Sequence, residues 1–72
     1  MAVIEASTLT TEALEGYDRM MLEATLRVRN FASLAFAVWS EVLRELDKRG
    51  RVTLVSGSYD DVGNALITRN YE

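Results

Sequence analysis

The chain has 72 residues, 8 basic and 11 acidic, a net charge of −3, a hydrophobic content of 49%, and no cysteine or histidine. Disulfides and thiolate metal sites are therefore excluded, and the commonest metal ligand and proton shuttle is missing. The mild negative charge disfavours a general binder of nucleic acid or anionic membranes, and a single domain this small points to a partner subunit for extra stability.

Residues 1–9 read as an N-terminal arm. Val3 and Ile4 give it the option of a strand edge, but it lacks the basic and long apolar regions of a targeting signal. The longest near-apolar run, Phe31 to Trp39, is too short to cross a bilayer. The expectation is a soluble, cytoplasmic protein with no membrane partner.

Residues 10–49 form the helical region. Thr10 suits the N-cap, and Glu12 and Glu15 sit where carboxylates favour the positive helix end. Apolar residues recur at Leu14, Tyr17, Met21, Ala24, Val28, Phe31, Ala35, Val38 and Val42, in alternating steps of 3 and 4. This is the rhythm of a heptad repeat. Glu15–Arg19 and Glu23–Arg27 are spaced as helical ion pairs. From Phe31 onward the apolar arc widens, so that half needs two packing surfaces. Lys48, Arg49 and Gly50 mark the stop.

The rhythm crosses Asn30 without a slip, and the reading favours one helix over 11–49, about 58 Å long at 1.5 Å per residue. Such a helix cannot bury its own stripe and demands another chain. The alternative is a break near Asn30 that folds the two halves into an antiparallel helical hairpin.

Residues 50–72 change period. Arg51 to Ser56 is β-branched and reads as a strand, 57–64 as a turn region, and 65–71 as a second strand. A two-residue turn at Asp60-Asp61 would place Leu54 opposite Ile67 and Val55 opposite Leu66. The competing reading is a short helix capped by Ser58, with Val62, Ala65, Leu66 and Arg69 on one face. The fold class is thus mainly α with a small β element, in one small domain that forms a homo-oligomer.

No arrangement of side chains suggests catalysis, a metal or a cofactor. Glu12, Glu15, Asp18 and Glu23 are spaced so that most of them fall on a solvated helix face. Asp60-Asp61 reads as a turn, since cation loops need more oxygen ligands. Ser56-Gly57-Ser58 lacks the lysine and glycine spacing of a phosphate loop. The expected function is a non-catalytic interaction module, such as an adaptor, assembly factor or inhibitor. It would bind itself, as a homodimer or larger, and one protein partner. The interface would use Tyr17, Met21, Val28, Phe31, Leu34, Val38, Trp39, Val42 and Leu46. Two alternatives stay open. A dimer could present Arg44, Lys48, Arg49 and Arg51 to nucleic acid or another anion, with steep salt dependence. Trp39 and the phenylalanines could instead line a small-ligand pocket.

Overall fold

The computed structural model describes residues 5–27 and 33–72. Helix α1 spans Thr11–Arg27 and helix α2 spans Ser33–Lys48. Thr10 caps α1 as its chemistry requires: its Oγ1 accepts the Ala13 N–H at 3.1 Å. The end of α2 is equally well determined. Gly50 adopts φ +74°, which costs a residue without a Cβ little. The Gly50 N–H then reaches the Asp47 carbonyl at 2.9 Å, and the Arg51 N–H reaches that of Leu46 at 2.8 Å. The two bonds are the Schellman pair that satisfies carbonyls at a helix end.

The continuous helix over 11–49 is not what forms. The two helices lie side by side and antiparallel, with Thr11 hydrogen-bonded to Arg49 at 3.0 Å and Asp18 to Trp39 at 2.8 Å. In one straight helix Asp18 and Trp39 would be about 31 Å apart. The hairpin is therefore the correct reading, and Asn30 itself lies outside the described residues. The physical reason is that an unbroken 3–4 rhythm serves two facing helices of one chain as well as two chains. Folding back buries Leu14 and Met21 of α1 against Trp39, Val42, Leu43 and Leu46 of α2.

After Gly50, strand β1 (Val52–Ser56) pairs antiparallel with strand β2 (Leu66–Arg69). Leu54 faces Ile67 as expected. Val55, however, falls in an irregularity of the ladder, and Ser56 rather than Val55 opposes Leu66. The strands are joined not by a two-residue turn but by a 3₁₀ helix over Tyr59–Asn64 that is kinked at Asp61, where φ −124° and ψ 62° are not helical. Ser58 caps it, accepting the Asp60 N–H at 3.1 Å. Strand pairing and a short helix thus coexist, and the helix stops before Ala65, Leu66 and Arg69. Gly57 holds φ +88°, and a Cβ there would sit 3.0 Å from the Ala65 Cα. Only glycine lets the chain pass so closely.

The hairpin docks by its inner face. Val52 is buried and Leu54 and Ile67 pack against the core, whereas Thr53, Val55, Leu66 and Thr68 point outward. Tyr59 and Val62 insert from the 3₁₀ helix. The Ser40 hydroxyl donates to the Tyr59 carbonyl, and the Tyr59 hydroxyl donates to Asp47 at 2.9 Å. In the N-terminal arm, Ala6–Thr8 form a 3₁₀ turn. Met1 to Ile4 lie outside the described residues. Among the described residues, no helix is long and apolar enough to cross a membrane.

Candidate functional site

The densest polar cluster lies inside the fold and is built on Asp18. Its side chain is fully buried between α1, α2 and β2. Oδ1 accepts the Trp39 indole N–H at 2.8 Å and an Arg69 Nη2–H at 3.0 Å. Oδ2 accepts the Arg69 Nε–H at 3.0 Å and the Tyr71 hydroxyl. Arg69 therefore grips the carboxylate with two nitrogens, the geometry that makes guanidinium–carboxylate pairs strong and directional. Burial opposes ionisation of Asp18. The hydrogen bonds from Arg69, Tyr71 and Trp39, with the Arg69 charge, outweigh it and hold the carboxyl below the usual aspartate value. The bond to Asp18 likewise raises Arg69. Burial, and then the bond to Asp18, push Tyr71 well above the ordinary tyrosine value. Outside the cluster, the Arg19 guanidinium stacks 4.8 Å from the Tyr71 ring centroid.

This cluster corrects the reading of Asp18 and Glu15 as parts of a solvated face. Glu15 is also buried, and it pairs at 2.6 Å with Arg51 rather than with Arg19. Of the two helical pairs expected from the sequence, Glu23–Arg27 forms on the surface, at 2.8 Å. The signal for Asp18 was partial: it lies four residues after Leu14 and three before Met21, at the margin of the apolar arc of α1. Nothing comparable marks Arg69 and Tyr71, which reach Asp18 only through the docking of β2.

The segment expected to contact anions is dispersed among carboxylates. Arg44 pairs with Asp60 and, at 3.8 Å, with Glu41. Arg49 meets Glu45 at 2.9 Å and also donates to the Thr11 hydroxyl and to the Leu9 carbonyl at 2.8 Å, which straps the N-terminal arm to the end of α2. Arg51 holds Glu15. Lys48 stands exposed at the margin of a groove that also contains Glu5, Glu41 and Glu45.

The expected interface residues separate into three sets. Met21, Trp39, Val42 and Leu46 are buried by their own chain, Trp39 to 4% exposure. Tyr17 and Val38 are half-buried against that core, and the Tyr17 hydroxyl donates to the Ala35 carbonyl at 3.2 Å. Leu34 is 62% exposed, and Leu26, which the heptad pattern left out, is 88% exposed. Val28 and Phe31 lie outside the described residues.

Of the aromatic residues proposed for a pocket, Trp39 and Phe36 stack with centroids 6.2 Å apart, and Trp39 belongs to the core. Phe36 lines a cleft of about 370 Å3 between α2 and the 3₁₀ helix, together with Ala37, Ser40, Asp61 and Val62. Among the described residues, no three acidic side chains converge as a metal site would require, and no buried side-chain nitrogen or oxygen lacks a partner. No protein-family model matches this chain, and no curated protein or solved structure matches it.

Proposed function

We propose that this protein is a non-catalytic binding module that associates with a second copy of itself through the end of its helical hairpin that carries Leu26 and Leu34, and through the same end with a protein partner. The buried ionisable groups are engaged in holding the fold: Asp18 with Arg69, Trp39 and Tyr71, and Glu15 with Arg51. What is left for recognition is surface. The observation that carries the reading is the exposure of Leu26 and Leu34, which bracket residues 28–32 at the ends of α1 and α2. A single exposed leucine is ordinary on a folded domain. Here two of them stand at adjoining helix ends, Leu26 in the last turn of α1 and Leu34 in the first turn of α2.

The heptad stripe is no longer the basis of this reading, because most of it serves the intramolecular core. Nucleic-acid binding gains nothing from the arginines at 44, 49 and 51, since each already has a carboxylate partner. Sedimentation equilibrium over a wide concentration range tests the proposal. The wild-type chain should associate reversibly. The double variant Leu26→Lys/Leu34→Lys should sediment as a monomer with unchanged helicity by circular dichroism. A wild-type chain that stays monomeric at every concentration overturns the proposal.

A further inference from the structure

The cleft between α2 and the 3₁₀ helix combines two features that select one kind of ligand. Its volume, about 370 Å3, falls at the small end of the range of ligand pockets. Its walls are apolar where Phe36, Ala37 and Val62 line it, and its rim carries Asp60 and Asp61. Those carboxylates are unequally neutralised. Asp60 has Arg44, which is itself shared with Glu41. Asp61 accepts only the neutral Asn64 side-chain amide, at 3.1 Å to each oxygen, and is exposed. The rim therefore sets two carboxylates against one guanidinium, whose charge is further drawn off by Glu41. A negative rim beside an aromatic ring repels anions and attracts a cation.

The geometry points to an ammonium or guanidinium group on an aliphatic stem as the ligand of this cleft, its charge at Asp61 and its stem against Phe36, Ala37 and Val62. Both a small organic amine and the lysine or arginine side chain of a partner protein have this chemistry. The site uses residues other than Leu26 and Leu34, so it and the self-association surface can fail independently.

The test is a nuclear magnetic resonance titration of the full 15N-labelled chain at constant ionic strength, with n-butylammonium chloride, 1-butanol and sodium butyrate as probes. Butylammonium should give saturable shifts of the Ala37, Ser40, Val62 and Gly63 amides. Butyrate should give none, and butanol should bind more weakly. Asp61→Asn keeps an acceptor for Asn64 and should weaken butylammonium about three- to fivefold, the strong end for an exposed ion pair. Added salt should weaken it too. A parallel titration with lysine blocked at both termini separates the sources. Equal binding of blocked lysine supports a protein side chain as the ligand, and binding of butylammonium alone supports a small amine. The inference is overturned if butylammonium gives no saturable shift, if butanol binds as tightly, or if Asp61→Asn leaves its affinity unchanged. The butanol comparison uses wild-type protein only, so it decides the question even if the variant misfolds.

Discussion

Where α1 begins and α2 stops, Leu14 and Leu46 are fully buried, Arg49 ties the N-terminal arm to the helix end, and Asp18 gathers four hydrogen bonds two turns further in. At the other end of the same two helices, Leu26 and Leu34 stand in solvent. The helical pattern does not distinguish these ends, because apolar residues run through both. Coverage does. The β-hairpin and the 3₁₀ segment pack over the helical pair as far as Phe36 and Ala37, and place Val52, Tyr59 and Val62 against it. A chain of this length has too little material to cover Leu26 and Leu34 as well. The covered end holds the fold, and under the proposed function the bare end is the one that meets a partner.

The largest expected effect comes from breaking the covered end at its polar centre. Asp18→Asn leaves Arg69 buried without a counter-charge and should cost about 3–5 kcal/mol, as removal of one partner from a buried pair generally does. For a domain expected to be stable by roughly 4–11 kcal/mol, this is a large fraction of the whole. Urea denaturation followed by Trp39 fluorescence would measure it. The pH dependence has the same origin. The folded Asp18 value lies below its unfolded one, so its stabilisation is complete above about pH 3.9 and disappears as pH falls through the folded value. Tyr59 acts at the other limb. Burial, and then the bond and charge of Asp47, push it up to about 12, so its contribution is complete below about pH 10 and is lost as pH rises from there towards about 12. Denaturation midpoints should therefore fall on both limbs.

The same substitution at each end sharpens the contrast. Leu46→Ala should cost about 3 kcal/mol by opening a cavity in the core, whereas Leu34→Ala should change stability by no more than about 0.5 kcal/mol. Equal costs would remove the distinction between the ends. Gly50→Ala should cost about 1 kcal/mol, because alanine disfavours φ +74°. Smallest is Arg44→Ala. Its ion pair with Asp60 is open to solvent, and its loss should fall below about 1 kcal/mol by the same denaturation assay.

The sequence made legible those features whose causes are local. Thr10 caps α1 because its hydroxyl needs only the next turn of backbone. Gly50 stops α2 because the stop depends on one φ angle. The pairing of Leu54 with Ile67 follows from alternation along two strands. The direction of the helical region was not legible, since the 3–4 rhythm fits a partner in the same chain or in another. The candidate surfaces moved for that reason: Met21, Trp39, Val42 and Leu46 satisfied one another. The burial of Asp18 is not legible because a carboxylate beside an apolar arc can be buried only with partners, and these arrive 21, 51 and 53 residues later in Trp39, Arg69 and Tyr71.

A buried, ionised Asp18 joins both helices to β2. A nuclear magnetic resonance pH titration that follows the Asp18 side-chain carboxyl carbon and the Trp39 indole N–H together tests this. Both should shift along one curve, with a midpoint below the ordinary aspartate value of about 3.9. A carboxyl that titrates at or above that value, with an indole N–H that does not respond, would contradict it.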